Sequence, residues 1–137
     1  MISTINTVTI AKPQVVIDEA VKLLTKEELE KCTIVHCKLY SSEESMLRIW
    51  PSTFLIENDG SRRELIKAFN ISLMPDWTVY PSGNSMIGFT LVFEGLSKNC
   101  NSFQLLEDIP EPGGFYTDTI LRNKTDVYQA EVHSKNS

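Results

Sequence analysis

No stretch of this 137-residue chain stays apolar for the length a bilayer crossing needs, so no membrane span is expected. Nor is there a basic excess. Thirteen Lys and Arg stand against eighteen Asp and Glu, a formal charge of −5. A general nucleic-acid binder needs a basic face to displace counterions from phosphate, and the one basic cluster, Arg62-Arg63, is short, so nucleic acid is not expected as a partner. Histidine is scarce, with only His36 and His133, and no C-x-x-C or H-x-x-x-H spacing suggests zinc. Three cysteines leave at least one unpaired. Cys32 and Cys37 lie too close, on one expected strand, for a structural bridge, which points to free thiols. The N-terminus, MISTINTVTIAKPQ, lacks a charged region followed by a long apolar core, so it does not read as a signal peptide. The expected location is therefore cytoplasmic as written, or extracytoplasmic if an export signal has been removed.

What is present is enough for one folded domain. A hydrophobic fraction of 42% and a charged fraction of 23% are ordinary for a globular chain. A domain of this size buries roughly two thirds of its unfolded surface. The clearest pattern runs from Phe89 to Gly114. Phe89, Leu91 and Phe93 alternate with Thr90, Val92 and Glu94. After a polar turn come Phe103 and Leu105, and then Pro110, Pro112, Gly113 and Gly114 stop any regular element. Period-two alternation bounded by Gly, Pro, Asn and Ser marks strands with one buried face, which puts Thr90 outside and Leu91 inside.

The remaining chain reads the same way. Residues 1–13 form an N-terminal arm, residues 14–133 the domain and residues 134–137 a disordered tail. Val15 to Leu23 suits a strand by its β-branched start, yet Ile17, Ala20, Val21 and Leu24 also share a helical face. Thr25 and Glu28 make a capping box, so one short helix is expected near residues 25–31. Thr33–Tyr40 is a strand with Val35, Cys37 and Leu39 inward. Met46–Glu57 is another, with Pro51 near its middle. Proline removes a ladder donor, so this segment lies at an edge or breaks in two. Asn58-Asp59-Gly60 is a tight turn into RRELIKAF. Trp77–Tyr80 is a short strand and Val127–Val132 the last. Seven or eight short strands with regular turns fit a sandwich or a barrel, and one long late loop favours the sandwich.

Phe54, Leu55, Asp59, Gly60, Leu65 and Ala68, then Phe89, Leu91, Phe93, Leu96, Phe103, Leu105, Leu106 and Glu107, follow a pattern of turns and core positions. In it the chain resembles uncharacterised bacterial immunoglobulin-like domains over most of residues 14–133. The resemblance implies an all-β, immunoglobulin-like β-sandwich. It implies no activity, because every matching position is structural.

Several side-chain groupings invite a sharper reading, and each has a plainer one. Cys37, Trp50 and Cys100 evoke the core of an antibody domain, but Cys100 sits in a polar turn and no Tyr precedes it by two residues. His36 beside Cys37 suggests an activated thiol, yet strand neighbours point to opposite faces. Glu107, Asp108 and Glu111 offer oxygen ligands for calcium, and equally a solvated loop. Glu94 and Glu107 are a glycosidase pair only if they converge. Asn70-Ile71-Ser72 and Asn123-Lys124-Thr125 match the glycosylation sequon. No catalytic residue, metal or cofactor is expected from these groupings.

The expected function is a non-catalytic interaction module that binds a protein partner through loops at one end of the sandwich. The candidate contact residues are Phe115, Tyr116, Pro112 and Arg122, in the connection from Pro110 to Asp126. Aromatics after a Pro- and Gly-rich bend offer contact area at small entropic cost. The competing reading is that Phe115 and Tyr116 tuck under the sandwich or begin an extra strand. Alternatives are a carbohydrate-binding or adhesion module stacking on Trp50, Trp77 and Tyr80, and an inhibitor or immunity protein masking a basic partner.

Overall fold

The computed structural model describes residues 8–10, 32–41, 45–81 and 86–135. Among them the chain is all-β and contains no helix. Its strands are β1 (Val8–Ile10), β2 (Cys32–Tyr40), β3 (Ser45–Ile49), β4 (Thr53–Glu57), β5 (Arg62–Phe69), β6 (Ser72–Leu73), β7 (Trp77–Tyr80), β8 (Met86–Glu94), β9 (Ser102–Glu107), β10 (Phe115–Tyr116), β11 (Ile120–Leu121), β12 (Val127–Glu131) and β13 (His133–Ser134). The helix expected near 25–31 and the ambiguous segment at 15–24 lie outside the described residues.

One sheet has the order β12-β2-β8-β5-β4-β9-β10-β13, with β11 beside β9. A second has the order β1-β7-β3-β6. Both mix directions, because β12 runs parallel to β2, β1 to β7 and β3 to β6. The expected break at Pro51 occurs: Met46–Glu57 divides into β3 and β4 around the Trp50-Pro51-Ser52 turn. The expected hairpin also forms, with Gly60 at φ +92° and the Asp59 carboxylate accepting the Ser61 amide at 2.8 Å. Left-handed geometry favours glycine there.

β5 is the hinge of the long sheet. Its first residues, Arg62 to Glu64, pair with β4, and Leu65 to Phe69 pair with β8. Within the β8 run a register shift lies between Leu65 and Lys67, just after the change of partner, and such a bulge bends a strand. The two arms of the sheet then enclose the core. Phe103 of β9 meets Tyr128 of β12 edge-on at 4.8 Å between ring centroids, and Phe89 of β8 meets Phe115 of β10 at 5.8 Å. Neither pair joins neighbouring strands, so both are contacts across the layer.

Val35 and Cys37 of β2 and Phe89, Leu91 and Phe93 of β8 all enter this core, as the alternation predicts. The other face of the same strands differs from the expectation. Thr90 is fully buried, and Ile34, His36 and Val92 are buried with it. β8 lies between β2 and β5, and such a central strand reads as a near-continuous apolar run when both faces are covered. The buried polar groups on that face answer each other, with His36 Nδ1 and Thr90 Oγ1 at 2.8 Å.

The far end of the chain also departs from expectation. His133 and Ser134 pair with Tyr116 and Phe115 as β13. The Lys135 amide donates to the Gly114 carbonyl at 2.9 Å, and the Gly113 amide donates to the Lys135 carbonyl at 2.7 Å. Residues 134 and 135, expected in a disordered tail, are thus held by backbone bonds. Residues 136–137 lie outside the described residues.

Two substitutions test the doubly buried strand by urea unfolding. Leu91→Ala is expected to cost about 2–5 kcal/mol through the cavity it leaves. Thr90→Ala is expected to cost about 1–3 kcal/mol by depriving His36 of the threonine hydroxyl. A neutral Thr90→Ala would contradict burial on both faces.

Candidate functional site

The inward faces of β4 and β9 carry Thr53, Leu55 and Glu57, and Phe103, Leu105 and Glu107. Thr53 pairs with Glu107 and Glu57 with Phe103, so the two strands bear one buried carboxylate at each end. Each carboxylate organises the end it occupies.

At one end Glu57 accepts the Arg63 Nε–H at 2.9 Å and the Ser97 amide at 2.8 Å. Burial pushes Glu57 up, but the Ser97 amide and hydroxyl and the Arg63 guanidinium outweigh it, and the carboxyl lies below the ordinary glutamate value. Arg122 belongs to this end. It pairs with Asp126 through Nη2 at 3.1 Å and donates to the Ser97 and Cys100 carbonyls.

At the other end Glu107 accepts the Trp50 amide on Oε2 at 2.8 Å and the Phe115 amide on Oε1 at 3.1 Å. It is 4% exposed. Burial pushes it above the ordinary glutamate value. The two amides and Arg48 pull it down and Glu111 pushes it up, but burial dominates. The turn beside it is clasped as well: Ser52 Oγ donates to the Asp108 carbonyl at 2.6 Å, and the Asp108 amide returns to the Ser52 carbonyl at 3.1 Å. Gly114 permits the close approach of β10, because a Cβ there would lie 2.7 Å from the Glu107 carbonyl oxygen.

Glu107 forms the floor of an open groove of about 230 Å³. Trp50, Trp77, Arg48 and Met46 line it on the side of β3 and β7, and Pro112 and Phe115 on the side of the β9–β10 loop. The Arg48 guanidinium lies 4.0 Å from the Trp77 ring centroid and 5.8 Å from that of Trp50, within cation–π range of both. It reaches Glu111 at 3.8 Å and the Pro75 carbonyl at 3.4 Å. Met46 is half exposed at the rim. The groove therefore joins two indoles, a cation and an apolar wall.

The four residues expected to form one contact surface are not brought together. Pro112 is exposed at the groove rim. Phe115, expected as an exposed contact, is 4% exposed and stacked on Phe89, because its strand pairs on both sides and turns the ring inward. Tyr116 is half-buried against His133 on the opposite face. Arg122 sits at the Ser102 end of β9, about 17 Å along the strand from Glu107, held in carbonyl and carboxylate bonds. The tucked-in reading of the two aromatics therefore describes Phe115.

Other readings end in local bonds. Tyr80 is buried and its hydroxyl donates to the Asn70 carbonyl, so it is no stacking platform. None of the three cysteines is in a disulfide, and burial pushes the Cys37 thiol far up, which keeps it protonated. Glu94 is exposed and accepts the Glu64 amide, unlike buried Glu107. Among the described residues no three His, Cys, Asp or Glu side chains are grouped to hold a metal ion. The sequon amides of Asn70 and Asn123 donate to the Gly88 and Val127 carbonyls at 2.6 and 2.8 Å.

Sequence reasoning missed Arg48, Met46 and Glu107 as members of this groove. For Glu107 the signal was available, because extending the alternation of Phe103 and Leu105 by two residues turns it inward. No family model matches the chain, and no curated protein or solved structure matches it either.

Phe115→Ala is expected to cost about 3–5 kcal/mol, the range for a buried aromatic. Tyr116→Ala, on the half-buried face, is expected to cost clearly less. Equal melting temperatures for Phe115→Ala and the parent would return Phe115 to the surface.

Proposed function

We propose that this chain is a non-catalytic interaction module, an immunoglobulin-like β-sandwich that takes a protein partner in the groove between β3, β7 and the β9–β10 loop. The immunoglobulin-like type is supported by the motif resemblance and by the two arms of the long sheet facing each other across one core. The observation that carries the binding reading is the clamp of Arg48 between Trp50 and Trp77, beside an exposed methionine. Tryptophan and arginine in a recessed patch are the residue types that dominate protein interfaces. The groove is smaller than the roughly 300–1,000 Å³ typical of small-molecule sites, which favours an inserted side chain over an enclosed ligand. A guanidinium already covers one Trp77 face, which weighs against sugar stacking on that ring. The expected end-of-sandwich location is retained, and Pro112 remains in the surface.

The test compares two exposed apolar residues at different ends of β9. Met46 lines the groove, whereas Leu121, 77% exposed, pairs with Ser102 at the other end. Partner capture followed by mass spectrometry is expected to fail for Met46→Asp and to persist for Leu121→Asp, with both melting temperatures near that of the parent. The reverse pattern would move the contact surface to the Arg122 end. Binding of the parent to immobilised glycans, lost in Trp50→Ala, would favour the carbohydrate-binding alternative.

A further inference from the structure

Glu107 joins the two walls of the groove from the inside, beneath the Ser52–Asp108 clasp and the Arg48–Glu111 pair. Its Oε2 holds the Trp50 amide in the β3–β4 turn, and its Oε1 holds the Phe115 amide where the β9–β10 loop becomes a strand. Among these ties the Glu107 carboxylate is the buried one that bonds to both sides at once. We propose that Glu107 is a proton-operated latch, closed when its carboxylate is ionised and loosened when it takes up a proton, so that the groove changes shape with pH.

The physical basis is the difference between the two protonation states. An ionised carboxylate accepts on both oxygens, and charge-assisted bonds are roughly twice as strong as neutral ones. A protonated carboxyl keeps one good acceptor, and its hydroxyl oxygen faces an amide donor less favourably. Burial makes proton uptake easier than for an exposed glutamate. The charged groups that face Glu107 are Arg48 of β3, which favours the ionised form, and Glu111 of the loop, which opposes it. β4 meets it with Thr53 and β10 with the Phe115 amide, neither of which titrates. Asp108, its chain neighbour, is exposed. The latch is a property of the groove itself and holds whether or not a partner binds there.

The chain reports on this device without a ligand. Its only two tryptophans, Trp50 and Trp77, both line the groove. Intrinsic tryptophan emission of the full chain, followed from neutral to acid pH, is expected to shift in one step with a midpoint above about 4.3, the ordinary glutamate value. Far-UV circular dichroism is expected to stay constant through that step. Glu111→Gln removes the opposing charge and is expected to move the midpoint down. Glu107→Gln, if it folds, is expected to abolish the step. The proposal is overturned if emission stays flat until the chain unfolds, if the midpoint is the same in Glu111→Gln, or if the step survives in Glu107→Gln. Should Glu107→Gln fail to fold, the Glu111→Gln comparison alone decides.

Discussion

The structure depends on carboxylates placed where a core would ordinarily end in an apolar side chain. On β4 and β9 the inward alternation runs through Leu55, Phe103 and Leu105, then finishes in Glu57 at one end and Glu107 at the other. A buried carboxylate is costly unless it is hydrogen-bonded, and both are. Each therefore binds backbone amides that no strand ladder supplies: Ser97 at one end, Trp50 and Phe115 at the other. The loops are drawn onto the ends of the strand pair because the carboxylates require donors there.

The two ends differ in electrostatics. Glu57 has a cation, Arg63, in direct contact, and its ionised form is favoured. It contributes stability above its unfolded value, and that contribution is lost as pH falls through the lower folded value. Glu107 has only amides in direct contact, with Arg48 and Glu111 offsetting each other further out, and burial prevails. Relative to the unfolded chain its sign is opposite: burial makes ionisation costly, so its contribution is full below the unfolded value and is lost as pH rises through the higher folded value, although the ionised form holds the two amides more tightly. The Arg122 end is thus a network of local bonds, with Arg63 and the Ser97 amide converging on Glu57 Oε2. The Glu107 end leaves two indoles, a guanidinium and Met46 around an open groove, and for that reason it is the end assigned to recognition.

Much of the framework was legible in the sequence. β2 reads directly from TIVHCKLY, the break between β3 and β4 from Pro51, and the β4–β5 turn from Asn58-Asp59-Gly60. These features are local, set by side-chain period, a missing amide donor and a left-handed turn. What was not legible was set by pairing at long range. Thr90 alternates as an outward residue and is buried because the second face of β2 and β8 is covered as well. Phe115 follows a Pro- and Gly-rich stretch that resembles a free loop. It becomes core because Glu107, eight residues earlier, holds its amide and Gly114 lets the backbone approach. The strand β13 exists because that same loop offers it an edge. Arg48 and Trp77 are far apart in sequence, and only the antiparallel pairing of β3 with β7 brings them together.

Two inward glutamates, alike in sequence context, organise the two ends of the domain, one with its proton affinity lowered and the other with it raised. Carbon-13 NMR of the side-chain carboxyls, titrated through the acid range in the folded chain, distinguishes the two residues. Glu107 is expected to titrate above and Glu57 below the ordinary glutamate value of about 4.3. Both residues titrating together at the ordinary value, or in the reverse order, would contradict this ordering.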